Sequence, residues 1–214
     1  MSARPTDTES TYDAVADEYE RRIADELDGK PFDRAWLDDF AAAVRPGGRV
    51  LDVGCGPGHV TAYLAARGAN VAGSDFSAGM VACVRRRNPT IDFVRADMRT
   101  LGLPDGSLAG IVAFYSLIHV DRAELPATLA GFARALEAGG RLTAAFHVGT
   151  ETVHLDEWWD RPAAADFHFF ESTEMIALLE GAGFEIARAE ERDPYAGVEH
   201  ESRRAYIDAF RAGG

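Results

Sequence analysis

Val50-Leu51-Asp52-Val53-Gly54-Cys55-Gly56-Pro57-Gly58 decides the fold. A short apolar run typical of a strand enters three closely spaced glycines, and a helix that buries Tyr63 and Leu64 follows. Glycines in such a turn let a ligand approach the backbone, and the helix start behind them offers free N–H groups. The combination predicts a site for a nucleotide-like molecule at the carboxyl edge of a sheet. About 20 residues further on, Asp75 ends the next strand (70–74), where an acid accepts hydrogen bonds from both hydroxyls of a ribose. The turn lacks the Gly-Lys-Ser/Thr of a Walker phosphate loop. It also lacks the Gly-x-Gly-x-x-Gly of dinucleotide enzymes, because position 59 is His.

Working outward, helical spacing predicts two helices ahead of this unit, over 12–27 and 32–44, separated by Gly29-Lys30-Pro31. Ser77 is placed to cap a helix carrying Met80, Val81 and Val84. Strands are expected over 49–53, 91–95, 110–115 and 141–147, with a helix over 125–137 closed by Gly139-Gly140. Strands alternating with helices specify a parallel sheet covered on both faces. Residues 149–170 break the alternation with Trp158, Trp159, Phe167, Phe169 and Phe170, and are expected as an irregular inserted lid. A helix over 171–179 and two strands, 184–189 and 204–210, pairable as a hairpin, complete the chain.

With 214 residues, 47% of them hydrophobic, one domain can bury its own core. The longest apolar stretch, 110–120, is too short for a membrane span, and the first ten residues are polar and acidic, unlike a secretory signal; the expectation is a cytoplasmic protein. Cys55 and Cys83 are expected as free, reduced thiols. The formal charge of −13 argues against nucleic acid and anionic membrane as partners, and Arg85-Arg86-Arg87 reads as a solvated helix face. The expected partner is a small molecule, with the chain a monomer or homodimer. His154, Asp156 and His168 lack the converging spacing of a metal site, and no metal is expected.

Leu51-Asp52-Val53-Gly54-Cys55-Gly56-Pro57-Gly58, with Asp75, Arg95-Ala96-Asp97-Met98, the 103–120 segment and Leu136-Glu137-Ala138-Gly139-Gly140, resembles the class I S-adenosylmethionine-dependent methyltransferases, particularly the compact small-molecule enzymes. The resemblance runs over roughly residues 10–210 and departs at Ala138, where the family more often has Pro. It implies an α/β, Rossmann-like three-layer sandwich with a seven-stranded, mostly parallel sheet and an antiparallel C-terminal strand. Within one domain it implies a helical cap (1–46), a cofactor-binding core (47–148), the lid (149–171) and a C-terminal helix with strand hairpin (172–214).

By the same resemblance S-adenosylmethionine is the cofactor and S-adenosylhomocysteine the product. Its methionyl part would lie on Asp52, Gly54, Cys55, Gly56 and Gly58, and its ribose on Asp75. Phe76 and Met80 would flank the adenine, Asp97 and Met98 would bind it, and Tyr115 and Ser116 would touch the methionine end. Tyr12 and Tyr19, on the first helix, are either cofactor contacts or core packing on one helix face. Methyl transfer to O, N or C of a metabolite is an in-line displacement in which alignment does most of the work. Where a general base is needed, His147 and His119 are the candidates, both following strands at the ligand edge. The competing readings are a non-catalytic S-adenosylmethionine-binding regulatory protein, a nicotinamide-dependent oxidoreductase and an aminopropyl transferase.

Overall fold

Asp7 accepts the Ser10 N–H at 3.0 Å and starts α1 (Thr8–Ile23). The structure, a computed structural model, describes residues 6–213, so the first five residues of the polar leader lie outside it. A short 3₁₀ turn, Glu26–Gly29, leads into α2 (Pro31–Ala43), which begins with proline at its first position, where the missing N–H costs nothing. Then come β1 (Arg49–Val53), α3 (His59–Ala66), β2 (Asn70–Asp75), α4 (Ala78–Arg87), β3 (Phe93–Arg95), β4 (Leu108–Phe114), α5 (Leu125–Ala135) and β5 (Leu136–His147). The chain ends with β6 (Thr152–Trp158), β7 (Arg161–His168), α6 (Ser172–Gly181), β8 (Phe184–Arg192) and β9 (Arg204–Arg211). Ser77 caps α4 as expected, its Oγ accepting the Met80 N–H at 3.1 Å.

The main sheet has seven strands in the order β3-β2-β1-β4-β5-β9-β8, and β9 alone runs antiparallel to its neighbours. The α/β expectation and the antiparallel last strand therefore hold. Every residue of β4 is buried, because helices cover both faces of the sheet. Ile111 and Ala113 point into a core with Leu125, Leu129 and Phe132 of α5 and Met175 of α6. Val112 and Phe114 point the other way, toward Trp36, Leu37 and Phe40 of α2 and Leu64 of α3. The strand order reverses between β1 and β4, which opens a crevice at their carboxyl ends.

Two expectations need correction. Residues 149–170 are not irregular: β6 and β7 form an antiparallel hairpin separate from the main sheet. Its two-residue loop, Trp159-Asp160, takes positive φ at both positions (52° and 60°) without glycine or asparagine, so the usual turn signal is missing. Strand β5 begins at Leu136 rather than at 141, because Leu136 pairs with Leu108 across a register shift and Gly139 (φ 73°) turns inside the strand. Among the described residues no helix is long and apolar enough to cross a membrane. Both cysteines are free and buried. Arg86 and Arg87 pair with Asp17, Glu20 and Asp25 of the N-terminal segment, while Arg85 donates to the Phe93 carbonyl.

Candidate functional site

The crevice is shaped first by the turn after β1. Gly54 (φ 68°) lies against the segment after β4, where a Cβ would stand 2.5 Å from the Ser116 Cβ. Gly56 (φ 51°) faces α1, and a Cβ there would come within 3.8 Å of the Tyr19 ring. Gly58 serves a different end from the one expected. Its Cβ would lie 2.1 Å from Val84 Cγ2, so it lets α3 and α4 pack rather than line the crevice.

Asp75 ties this turn to α4. Its Oδ2 accepts the Gly56 N–H and its Oδ1 the Ser77 N–H, both at 2.9 Å. Each oxygen keeps a lone pair for a further donor. Burial pushes the carboxyl up to about 6 against the two backbone bonds. Asp52 is likewise raised to about 6 by burial, although Thr61 Oγ1 donates to it at 2.6 Å. Burial also raises the Cys55 thiol, which keeps it protonated and unreactive.

A cavity lies over the turn, walled by Asp52, Gly54, Cys55, Gly56 and Asp75 below and by Tyr12, Tyr19, Phe76, Met98, Tyr115, Ser116 and His119 around. Met80 is not among them. It is fully buried beside Tyr12 and Cys83, because the first turn of α4 packs against α1. Asp97 opens into an adjoining groove that shares Gly54, Phe76, Met98 and His119 with the cavity. Partial burial would raise its carboxyl, but Arg99, donating through Nε at 3.0 Å and Nη2 at 2.6 Å, holds it below the usual range.

A second cavity lies beneath the β6–β7 hairpin and shares Tyr12, Tyr19, Glu26 and Tyr115 with the first. Tyr115 sits at this junction with φ 51°, a conformation that costs a non-glycine residue of order 1–3 kcal/mol. Its hydroxyl pairs with Tyr206 Oη at 3.0 Å. His147 lines the second cavity, with Nδ1 2.7 Å from Ser202 Oγ and its ring stacked on Phe169 at 4.9 Å. Burial, reinforced by the Arg204 charge, pulls it down to about 3, so it takes a proton only weakly.

His119 is committed elsewhere. Its Nδ1 lies 3.0 Å from the Asp166 carbonyl, which can only accept, so Nδ1 carries the proton and Nε2 accepts from the Tyr12 hydroxyl at 2.7 Å. Burial lowers it to about 4. The ring buckles α1 and β7 to the segment after β4, and no lone pair is left for a base.

Sequence reasoning missed Glu26, Lys30 and His59, and it reads the run 199–204 as a solvated connection in preference to polar groups facing the pocket, whereas Glu199, His200 and Arg204 line the second cavity. Glu26 lies on both cavities, between His59 Nε2 at 3.0 Å and Lys30 Nζ at 2.8 Å. Burial would raise it, but the hydrogen bond with His59 and the Lys30 ammonium hold it down at about 2. The only signal in the sequence was the four-residue spacing of Glu26 and Lys30. In the hairpin His154 engages Asp166 Oδ1 at 2.5 Å. Among the described residues Asp17, Glu20 and Cys83 could converge on a metal, but the Arg86 guanidinium bonds to all three.

Comparisons with known proteins set the chain among methyltransferases. Residues 50–140 match the family model of a methyltransferase domain. The demethylmenaquinone methyltransferase of Beutenbergia cavernae is 37% identical over 145 residues, 66% of this chain and 58% of that protein. A probable S-adenosylmethionine-dependent methyltransferase of Mycolicibacterium smegmatis is 34% identical over 168 residues, 77% of this chain and 60% of that protein. The chain thus spans less than two thirds of the length of these relatives. A crystal structure of an S-adenosylmethionine-dependent methyltransferase from Methanosarcina mazei superimposes with a TM-score of 0.73 at 17% identity, over 81% of this chain and 96% of that one.

Proposed function

The chain belongs to the class I S-adenosylmethionine-dependent methyltransferases, and from that membership we propose that it moves the methyl group of S-adenosylmethionine to O, N or C of a small molecule. The observation that carries the reading is the pair of cavities joined at Tyr12, Tyr19, Glu26 and Tyr115: one over a glycine turn with a buried acid, the other roofed by aromatic side chains.

The residues of the first cavity fit the cofactor. Ser116 Oγ and His59 Nδ1 are buried on its wall without a hydrogen-bond partner, which a polar ligand would relieve. Asp75 would hold the ribose hydroxyls. Phe76 and Met98 would lie along the base with Asp97 at its edge, and Asp52, Gly54, Cys55 and Gly56 would meet the methionyl part. When bound, the cofactor supplies a sulfonium methyl that is electrophilic without further activation.

The protein's own contribution is then alignment and exclusion of water. Tyr12, Tyr19 and Trp158 pack edge to face, with centroids 5.3–5.6 Å apart, and close the roof over the junction. His147 faces the acceptor with a neutral imidazole suited to orienting a hydroxyl by hydrogen bonding; its low basicity weighs against a leading role as general base. Several relatives are named for methylating demethylmenaquinone, and an apolar, aromatic acceptor suits the second cavity. Calorimetric titration with S-adenosylmethionine, S-adenosylhomocysteine and NADH tests the reading. Micromolar binding of the first two and none of the third supports it; binding of NADH alone would replace methyl transfer with redox chemistry.

A further inference from the structure

The second cavity has two kinds of wall. Tyr12, Tyr19, Tyr115, Trp158, Phe167 and Phe169 make an aromatic side that suits a flat apolar ring. Arg204 belongs to the other. It is the first residue of β9, and because β9 runs antiparallel to β5, this residue pairs with His147 at the ligand edge of the sheet.

Arg204 is only 3% exposed. Its Nη1 donates to two backbone carbonyls, those of His200 (2.6 Å) and Ser202. Its Nε makes no hydrogen bond, although Glu199 Oε1 lies 3.3 Å away. Glu199 is already claimed: Arg192 grips both its oxygens, at 2.6 and 2.8 Å, and the Tyr195 N–H donates to it at 2.8 Å. Lys30, the other cation on the cavity, is paired with Glu26. Arg204 therefore shares Glu199 with Arg192 and keeps its Nε–H without a hydrogen bond, and a buried guanidinium donor left in that state favours an anion that accepts from it.

We propose that the methyl acceptor is a flat, apolar molecule carrying one anionic oxygen group, and that Arg204 holds that group while the aromatic wall holds the ring. The proposal rests on the methyl-transfer reading and adds the charge class of the substrate.

The test uses the whole chain, with and without saturating S-adenosylhomocysteine, titrated with 2-naphthoate, 2-naphthylmethanol and 2-naphthylmethylamine by calorimetry and tryptophan fluorescence. The expected ranking puts naphthoate about tenfold or more ahead of the alcohol and the amine last. Arg204→Gln levels naphthoate with the alcohol and leaves S-adenosylhomocysteine affinity unchanged. If that variant does not fold, the wild-type ranking decides together with Leu155→Trp, a change in β6 on the wall of the same cavity that fills it and weakens all three probes. Equal or tighter binding of the alcohol or amine, a naphthoate preference that survives Arg204→Gln, probe binding indifferent to Leu155→Trp, or no binding of any probe would each overturn the proposal. Failure to bind S-adenosylhomocysteine with the probe ranking intact would instead overturn the methyl-transfer reading.

Discussion

The cavity over the glycine turn and the cavity beneath the hairpin meet at Tyr115, yet they are built by opposite means. The first is shaped by backbone: Gly54 and Gly56 at positive φ, two N–H groups aimed at Asp75, and a strand-order reversal. The second is shaped by side chains from α1, β5, the hairpin, the 198–200 connection and the start of β9, gathered from distant parts of the chain. A backbone-built site tolerates few substitutions and binds what its topology dictates. A site built from side chains can change its ligand by exchanging them, which is why a fold identifies a cofactor more readily than an acceptor.

Substitutions in the turn should therefore cost most. Gly58→Ala combines φ 77° with overlap on Val84, and denaturant unfolding should show a loss of about 2–4 kcal/mol; a midpoint unmoved by the change would mean that the backbone there is not the constraint. Next in size, Asp75→Ala should weaken S-adenosylmethionine binding at least tenfold, about 1.4 kcal/mol, while Trp158→Ala in the hairpin should leave it nearly unaltered. Equal losses from the two would erase the distinction between the cavities.

The same carboxylate predicts a pH dependence. With Asp75 titrating at about 6 in the free protein, its ionised form prevails above that pH and accepts the ribose hydroxyls. Affinity should be flat above about pH 7 and fall up to about tenfold by pH 5 as the proton must be displaced. In Asp75→Asn the profile should be level; a wild-type profile that persists in the variant assigns the titration to another group. The smallest effect is expected at the buckle joining the two regions. Tyr12→Phe leaves His119 Nε2 without its donor, which should cost about 1 kcal/mol in thermal or denaturant unfolding. No loss there would mean that the hairpin is held independently of α1.

Much of the first cavity was legible because its signals are local. Gly54, Gly56 and Asp75 announce a turn and an acid at strand ends, and the fold places them within hydrogen-bonding distance. Met80 and Gly58 show the limit of that legibility, since spacing alone does not tell whether a residue near a site faces the ligand or the next helix. The hairpin escaped because Trp159 and Asp160 make its turn without glycine or asparagine. Arg204 escaped for another reason: in sequence it follows Arg203 in a polar connection, yet Arg203 is exposed and Arg204 is buried.

Sequence alone determined the alternation of strands and helices, the sheet they specify and the turn at its edge, since these depend on short-range periodicity and on where glycine relieves the backbone. Tertiary structure decided which histidine was spent on structure, which acid stood between the cavities and which arginine kept a buried N–H without a hydrogen bond. Those outcomes depend on burial and on partners brought from distant positions, and both arise only when the chain has closed on itself.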